Sequence, residues 1–463
     1  MSTRLAGPIA AAHRQGPAGV GFHLIELHPA QSLALGFVVI TFIGTALLSL
    51  PRASAGPTPV PFLDALFSAA SAITTTGLVT VDTGGAYSLF GEIVILLLFQ
   101  IGGLGYMLFI AYVAFLVGAR PSLRAGLVMR ESIAGATLGR LREFLRSVVA
   151  FTIIFEGLGA AALALILMDR FPPGEAAYLG VFHAVSAFST AGFGLFADSF
   201  MRYRDSIALN LVIAVVTFAG GIGFLVLRDL SQFGMAAARR RGRPRLSVHT
   251  KLALIVQTAL IAAGTLIVFA AEPHGEPLRR QILGATFQAA SASTTTGFNT
   301  VDIGKMAPAS QFALIVLMFV GAGPGGTGGG IKVTTLGVVL AAAAALMRGS
   351  EDAVIFKRRM PLDTVLRALT IGMVATVVVA AVTLLLTVTE RAGFLVLLFE
   401  ATSALGTVGL SLGLTPGLTS VGKIAISATM LLGRIGPLSV GLALVGRPRR
   451  RLFRYVEGDV YVG

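Results

Sequence analysis

The chain has 463 residues, of which 55% are hydrophobic and only 13% are charged, whereas soluble globular proteins carry about 25% charged residues. Several apolar runs reach the ~20 residues that a helix needs to cross a bilayer. The composition therefore predicts a polytopic membrane protein and excludes a soluble globular one. Cysteine is absent, which excludes disulfides, thiolate metal sites and cysteine nucleophiles.

The formal net charge of +14 would by itself suit a nucleic-acid partner. The arginines, however, cluster in four places, at 120–146, 228–251, 348–367 and after 446. The intervening loops carry mixed or acidic charge, and no basic module is interleaved with aromatic residues, so we expect no nucleic-acid binding. The alternation is the positive-inside pattern, which predicts a multi-pass protein of the cell (plasma) membrane with both termini in the cytoplasm. Part of the basic excess would face the headgroups of the lipid bilayer.

In chain order, the apolar pattern predicts four units, each a span, a short apolar stretch and a second span. The units occupy residues 31–117, 148–227, 252–347 and 366–445, and the second spans of the first two units are predicted near 89–117 and 207–227. Basic cytoplasmic loops separate them at 118–147, 228–251 and 348–365, and cytoplasmic tails flank them at 1–30 and 446–463. The short stretches, near 61–73, 178–189, 280–293 and 394–403, are too brief to span a bilayer and fit re-entrant segments. Two spans in each unit give eight, an even number that agrees with both termini on one side.

A repeated phrase follows each short stretch. It is Ser-Ala-Ile-Thr-Thr-Thr-Gly-Leu at 71–78 and Ser-Ala-Ser-Thr-Thr-Thr-Gly-Phe at 291–298. Looser copies are Ser-Ala-Phe-Ser-Thr-Ala-Gly-Phe at 186–193 and Ser-Ala-Leu-Gly-Thr-Val-Gly-Leu at 403–410. Packing of small residues between membrane helices explains one such run, but not four, each ending in glycine after a stretch too short to span. We interpret the four segments as one pseudo-symmetric site of the kind that a cation filter requires.

The chemistry of such a filter is that of the backbone. A cation that sheds its water must regain equivalent oxygens, and rings of carbonyls from four loops supply them. Glycine adopts positive φ at little cost, so successive carbonyls can turn toward one axis. The predicted filter residues are Thr76, Gly77, Ala191, Gly192, Thr296, Gly297, Val408 and Gly409. Asp82, Asp198 and Asp302 follow the glycines closely and either guard the outer mouth or cap their own loops.

The second span of the third unit is interrupted at residues 321–330, where every residue except Ala322 and Thr327 is glycine or proline. Such a sequence cannot propagate a helix, and a broken helix is tolerated in a bilayer only beside protein or water. We therefore expect this segment to line the cavity. A phosphate-binding loop is excluded because no strand precedes it and Lys332 follows Ile331 rather than glycine. A flexible linker is the remaining alternative.

Four polar residues within the apolar spans stand out. Arg434, in the last span, is costly there and is a functional candidate by default, unless its side chain snorkels to the interface. Lys332 is a second candidate for a buried cation, and the alternative is a position near the cytoplasmic side of the loop. Gln100 fits packing and hydrogen bonding rather than transport, and the intramembrane acid Glu156 has no partner that the sequence identifies.

From about residue 31 onward the chain resembles the Trk/Ktr/HKT superfamily of cation transporters. The resemblance implies an all-α membrane protein with eight transmembrane helices and four re-entrant pore helices around one ion pore, with a selectivity glycine in each loop. Family members selective for sodium often carry serine at the first of these positions, so Gly77 implies potassium. The resemblance also implies an intramembrane gating loop with a basic residue, Arg434, beneath the filter. The gating residues would be Gly323, Pro324, Gly325, Gly326, Thr327, Gly328, Gly329, Lys332 and Arg434.

The first unit starts close to the N-terminus, which makes the chain similar to the Ktr branch. That similarity implies the pore-forming subunit of a potassium uptake system, a homodimer on a cytosolic ring of nucleotide-binding regulatory subunits. Potassium would be the transported ion, the chain would hold no cofactor, and coupling to sodium is left open. The alternatives are a sodium-conducting or poorly selective transporter of the same fold, a carrier for an organic solute, and a receptor or enzyme. No nucleophile–base arrangement or metal motif favours an enzyme.

Overall fold

The structure, a computed structural model, describes residues 29–105, 138–239, 245–273 and 275–436. The helices in this part of the chain are α1 Pro29–Leu48, α2 Phe62–Ile73, α3 Thr83–Ala86, α4 Leu89–Leu104, α5 Leu138–Leu167, α6 Pro173–Phe188, α7 Ile207–Ile222, α8 Phe224–Ala238, α9 Val248–Ala271, α10 Leu278–Ser293, α11 Pro308–Phe319, α12 Val333–Met347, α13 Leu362–Thr389, α14 Phe394–Gly406 and α15 Ser420–Ile435. The strands are β1 Val320–Gly321 and β2 Ile331–Lys332, paired in parallel, and β3 Val354–Ile355 and β4 Arg358–Arg359, paired antiparallel. Residues 1–28 of the tail predicted at 1–30, residues 106–137, 240–244 and 274, and all residues from 437 onward, including the tail predicted at 446–463, lie outside the described part.

Long apolar helices open the second, third and fourth units. Three stretches in the described residues are long and apolar enough to cross a membrane: Glu143–Leu167, Val248–Ala271 and Leu362–Thr389. The bent pair Ile207–Ile222 and Phe224–Ala238 would make a fourth. Large apolar side chains such as Leu158, Leu266 and Leu384 are 68% exposed on the spanning helices. Their exposure suits a lipid surround, in which an apolar outer face carries no penalty.

Each unit has the same order of packing. A first helix (α1, α5, α9 or α13) contacts a short helix (α2, α6, α10 or α14), which in turn contacts a companion helix (α4, α7, α11 or α15). The ends of the short helices are the most buried part of the molecule, since every residue from Phe67 to Ile73 in α2 and from Phe399 to Gly406 in α14 is buried. The short helices thus point their C-terminal ends into the centre of the fold.

The units are also connected in a cycle. The companion helix α4 contacts the short helix α6 of the second unit, α7 contacts α10, α11 contacts α14, and α15 contacts α2 of the first unit. The last of these contacts includes an ion pair, in which Lys423 Nζ on α15 donates to Asp64 Oδ1 in the first turn of α2 at 2.6 Å. Their side chains are 18% and 11% exposed. The pair therefore joins the two ends of the chain's helical cycle.

The companion helices are shorter than the spans predicted at 89–117 and 207–227. The predicted span 207–227 is two helices, because α7 ends at Ile222 and α8 departs at 104° after Gly223. Gly105 and Gly436 end α4 and α15 in the same way, and the three glycines have φ of +74°, +106° and +92° in chain order. Glycine adopts this conformation at little cost, so each helix stops there. In the third unit α11 ends at Phe319 and α12 begins at Val333, on either side of the predicted interruption.

Replacing Lys423 with methionine is expected to destabilise the fold by about 3 kcal/mol, because it leaves the Asp64 carboxylate without its partner in a largely buried position. The double variant Asp64→Leu/Lys423→Met is expected to recover most of the loss, since both charges are then gone. The measurement is the thermal midpoint of the detergent-solubilised protein, followed by size-exclusion chromatography.

The matched control is Lys305→Met, which removes the exposed pair with Asp302, in which the lysine side chain is 85% exposed. Such pairs contribute at most about 1 kcal/mol. Equal melting of the two lysine variants would show that the Asp64–Lys423 pair does not hold the cycle together.

Candidate functional site

The chain makes the same turn after each short helix. The residue two before each repeated glycine is left-handed, at Thr75 (φ 53°), Thr190 (49°), Thr295 (56°) and Thr407 (49°). The glycines also have positive φ, at Gly77 (90°), Gly192 (69°), Gly297 (87°) and Gly409 (93°). The N–H before each glycine donates to the serine carbonyl five residues earlier, from Thr76 to Ser71 (2.8 Å), Ala191 to Ser186 (2.8 Å), Thr296 to Ser291 (2.9 Å) and Val408 to Ser403 (2.9 Å). The four turns therefore have equivalent backbones.

The four turns lie side by side in a closed order, which we call the ring. A Cβ atom built on Gly77 would lie 2.5 Å from the carbonyl oxygen of Ala191 and 3.1 Å from the Cα of Gly192. In the same way Gly192 faces Thr296 and Gly297, Gly297 faces Val408 and Gly409, and Gly409 faces Thr76 and Gly77. Glycine is required here twice, by positive φ and by the backbone of the neighbouring turn. All eight residues predicted for the filter lie together in this ring.

One side of the ring opens to a cavity of about 250 Å³, which all four glycines line. Asp82 and Asp198 line it too, and Asp198 pairs with Arg202 at 2.9 Å. Asp302, the third acid predicted at the mouth, lines a different cavity, where it accepts from the Gly304 N–H at 3.1 Å. Two of the three acids therefore face the ring.

The ring is also where the carbonyl ends of the short helices meet. The C-terminal end of a helix carries partial negative charge, and in the first, second and fourth units a glycine of the companion helix lets that helix lie close to this end. A Cβ on Gly102, Gly220 or Gly433 would collide with the carbonyl oxygen of Ile73, Phe188 or Leu405, respectively. Such an arrangement favours a cation at the centre of the ring.

Residues of the interrupted span cover the opposite side of the ring. The Thr327 carbonyl accepts from Thr75 Oγ1 at 3.4 Å, and the Thr327 hydroxyl lies 3.2 Å from that of Thr190 and donates to the Phe188 carbonyl at 2.9 Å. The Gly329 N–H donates to Thr295 Oγ1 at 3.2 Å, and Gly329 abuts Thr407 Oγ1. This loop therefore contacts the left-handed threonine of every turn.

The predicted gating residues divide into two groups. Thr327, Gly328 and Gly329 lie against the ring. The stretch 323–326 lies instead against the break between α7 and α8, where the Gly323 N–H donates to the Gly221 carbonyl at 2.8 Å and the Phe224 N–H donates to the Gly325 carbonyl at 3.1 Å. The sequence did not indicate this division, because the break at Gly223 was not predicted.

Two cations hold the loop. Arg434 donates through Nη1 to the Thr327 carbonyl and through Nη2 to the Gly102 carbonyl, so it connects the loop to the end of α4. Lys332 Nζ donates to the carbonyls of Gly328 at 2.6 Å and Gly329 at 3.1 Å. Neither forms an ion pair with a described carboxylate. Both charges are therefore compensated by backbone carbonyls, which are weaker partners than carboxylates.

Two features of the site were not predicted from the sequence, namely the contacts of the left-handed threonines and the partner of Glu156. The left-handed threonines were not among the predicted filter residues. The sequence does carry a signal for them, because all four copies of the repeat have threonine two positions before the glycine. Glu156 receives a hydrogen bond from Gln100 Nε2 at 3.4 Å, and Gln100 Oε1 accepts one from Ser189 Oγ at 3.2 Å. Gln100 thus connects a buried acid to the second turn, in agreement with its predicted hydrogen-bonding role.

Comparisons with known proteins cover nearly the whole chain. Residues 28–455 match the family model TrkH, described as cation transport protein. The Ktr system potassium uptake protein B of Bacillus subtilis is 36% identical over 95% of this chain and 98% of its own length. The potassium/sodium uptake protein NtpJ of Enterococcus hirae is 32% identical over 95% of this chain and 98% of its own.

A solved structure is similar too. The potassium transporter TrkH from Vibrio parahaemolyticus superposes with a TM-score of 0.71 at 21% identity, covering 91% of this chain and 86% of that one. At this identity the likeness concerns the fold. Together with the apolar helices, the family match makes this a membrane-embedded protein.

Replacing Thr327 with valine is expected to increase hydrogen–deuterium exchange of the amides in 323–330 about tenfold. Valine keeps the shape but loses the hydroxyl bonds to Phe188 and Thr190, and about 1.4 kcal/mol of lost hydrogen bonding is a factor of ten. The conservative control Thr327→Ser keeps the hydroxyl and should exchange as the unmodified protein does. If both variants exchange alike, the hydroxyl does not hold the loop against the ring.

Proposed function

Because the chain belongs to the TrkH family of cation transport proteins, we propose that it is the pore-forming membrane subunit of a potassium uptake system. The single observation that carries the proposal is the ring, four equivalent turns whose glycines face one another's backbones. A site of this kind offers backbone oxygens from four directions and no side chain at the glycine positions. Both features are needed to replace the water shell of a cation.

In this proposal the ring is the selectivity filter. Thr76, Ala191, Thr296 and Val408, each directly before a glycine, are fully buried, so the carbonyls of these residues and of the glycines would contact the ion. The four helix ends would add a favourable potential without a fixed charge, which lets an ion bind and still leave. The cavity with Asp82 and Asp198 would be the outer mouth, where carboxylates concentrate cations.

The loop beneath the ring would be the gate. Its segment 327–329 covers the inner side of all four turns, so an ion leaving the filter meets it directly. Its bonds to the ring are hydroxyl and backbone bonds, each contributing about 1 kcal/mol, and its glycines permit rearrangement at little backbone cost. Arg434 and Lys332 would hold the closed position and repel a cation until they move.

The remaining parts of the proposal concern topology and assembly. The chain would form four pseudo-symmetric units with eight membrane spans and four re-entrant helices, both termini being cytoplasmic, in the plasma membrane. It would act as a homodimer with a cytosolic nucleotide-binding ring. The relative from Bacillus subtilis is named as part of a Ktr system, which supports a regulatory partner, and this chain itself would bind no nucleotide.

A sodium-conducting or poorly selective transporter of the same fold is the second candidate. It is favoured by one observation, the similarity to a protein named for potassium and sodium uptake. Reconstituted protein in potassium-free liposomes separates the two, because potassium influx should exceed sodium influx under equal gradients if the first proposal holds. Equal influx of both ions would favour the second, and influx of neither would reject both.

Replacing Gly77 with serine is expected to lower the preference for potassium over sodium about tenfold. Serine disfavours φ of +90° and its Cβ would press on the Ala191 carbonyl, at a cost of about 1–2 kcal/mol. Competitive uptake of the two ions is the measurement. The control is Gly56→Ser, an exposed glycine with no neighbour within 4 Å of its Cβ position. Unchanged selectivity in a folded Gly77→Ser protein would remove Gly77 from the filter.

Replacing Arg434 with glutamine is expected to raise basal potassium flux several-fold, because the loop loses a charged hydrogen bond that holds it closed. Ion selectivity should remain unchanged. Glutamine cannot reach both the Thr327 and Gly102 carbonyls, so the loop would be released. The control is Arg228→Gln, which breaks only the exposed pair with Glu143. Flux equal to that of the unmodified protein would show that Arg434 does not hold the loop closed.

A further inference from the structure

A second set of four equivalent positions lies behind the ring, one on each short helix. They are the residues nine before the four ring glycines, namely Ser68, His183, Gln288 and Glu400. All four are polar and none is more than 1% exposed. A polar group in such an environment is costly unless it is hydrogen-bonded, and nothing in the packing of a short apolar helix requires one. Their recurrence at the same place in each unit therefore calls for a role beyond packing.

Three of the four side chains bond to the segment that leaves the ring. His183 Nε2 accepts from the Leu195 N–H at 3.2 Å, three residues after Gly192. Gln288 Nε2 donates to Thr300 Oγ1 at 3.5 Å, three residues after Gly297. The Glu400 carboxyl accepts from Ser411 Oγ at 2.9 Å and from Thr415 Oγ1. Each bond thus spans from the helix before a turn to the chain after it.

These bonds constrain the turn between their two ends. The serine carbonyl bond fixes the residue before each glycine. In three turns the serine hydroxyl also bonds at the glycine or just after it: Ser71 Oγ accepts from the Gly77 N–H, Ser403 Oγ accepts from the Gly409 N–H, and Ser291 Oγ donates to the Phe298 carbonyl. The bonds of the three short-helix residues reach further, to the segment two or more residues after the glycine. We propose that Glu400, His183 and Gln288 are positioning residues, here called the belt, which set the spacing of the ring carbonyls and thereby ion selectivity. The inference rests on the proposed function of the ring as a filter.

The three belt residues make hydrogen bonds of different number and length, so replacing each of them should affect ion selectivity to a different extent. Glu400 has two hydroxyl partners. His183 has one partner in the outer segment, the Leu195 N–H. Its imidazole ring is fixed, because Nδ1 donates to the Leu179 carbonyl at 2.8 Å and the Phe196 ring stacks on it with 4.8 Å between the ring centroids. Because Nε2 accepts from a backbone N–H, the ring must carry its proton on Nδ1. Gln288 makes the longest bond, and long bonds are weak.

Ser68 is the exception and provides a control. Its hydroxyl is buried and makes no hydrogen bond to the segment that follows Gly77 in the described part of the chain, where the Thr80 hydroxyl, three residues after Gly77, is also buried without a partner. Serine is too short to make the connection that Gln288 makes to Thr300 in the third unit. Removing the Ser68 hydroxyl should therefore leave the ring unchanged.

The test measures potassium over sodium preference in liposomes, with the thermal midpoint in detergent measured on the same preparations. Glu400→Leu is expected to lower the preference about tenfold, because it removes two hydrogen bonds to the fourth turn. His183→Leu should lower it by less and Gln288→Leu by least. Glu400→Gln keeps an oxygen acceptor and should retain the preference within about twofold. Ser68→Ala should be unchanged.

Two further variants keep the test decisive if Glu400→Leu does not fold. Ser411→Ala and Thr415→Val remove the donors from the outer segment and leave the helix intact, so a combined variant should reproduce the loss of preference. The burial control is Gln311→Leu, a buried glutamine whose amide donates to Ile303 and Gly304 outside the belt.

The outcomes separate the two proposals. If the unmodified protein shows no potassium preference, the filter proposal fails. If it is potassium-selective and the folded Glu400→Leu, His183→Leu and Ser411→Ala/Thr415→Val proteins keep that selectivity, the belt fills core space only and the inference is overturned. A loss of preference equal to that of Gln311→Leu would assign the effect to general loosening and would overturn it as well.

Discussion

The close approach of four turns is the constraint on which the rest of the structure depends. Each glycine faces the backbone of the next turn, so the ring exists only if all four turns have the same conformation at the same depth. The left-handed threonines and the positive φ of the glycines give the turns that common shape. Because non-glycine residues in this conformation are held at a cost of about 1 kcal/mol or more each, the surrounding helices must supply the stabilisation.

The helices meet this requirement through a cycle of contacts. Every companion helix packs on the short helix of the next unit, and in the first, second and fourth units its glycine lets it touch the carbonyl end of the short helix in its own unit. The same glycine-rich sequence then ends the companion helix at Gly105, Gly223 or Gly436. Close packing and helix termination are therefore two consequences of one short sequence. They leave room beneath the ring, which the loop from the third unit occupies.

The backbone of the ring is nearly four-fold symmetric, but the side chains around it are not. Among the described residues the third unit alone supplies a loop beneath the ring, the fourth supplies Arg434, and the position nine residues before the glycine holds a different polar residue in each unit. A single chain permits this, because each copy can change independently while the common backbone remains. Symmetry is suited to surrounding an ion, and asymmetry is suited to controlling its passage from one side.

The sequence by itself determined the membrane character, the four repeats and the glycines at 77, 192, 297 and 409. These follow from composition and from short repeated sequences, because hydrophobicity and the conformational preference of glycine are properties of the individual residues. It also placed the interruption after Phe319, because glycine and proline break a helix wherever they occur. The length of the short apolar stretches by itself indicated that they are too brief to span a bilayer.

Tertiary structure decided the rest. Sequence indicated Thr76 and its equivalents, but which threonine meets the loop depends on a fold that brings Thr75 to Thr327 across more than 250 residues. The break at Gly223 was missed although Gly220 and Gly221 lie close by, because glycines also serve close packing in continuous membrane helices. At this point the Gly325 carbonyl and the approach of Pro324 fix the bend. The partners of Glu156, Arg434 and Glu400 are likewise set by packing between segments distant in the chain. Such contacts have no local signal, because their free energy arises only when several helices have already been brought together.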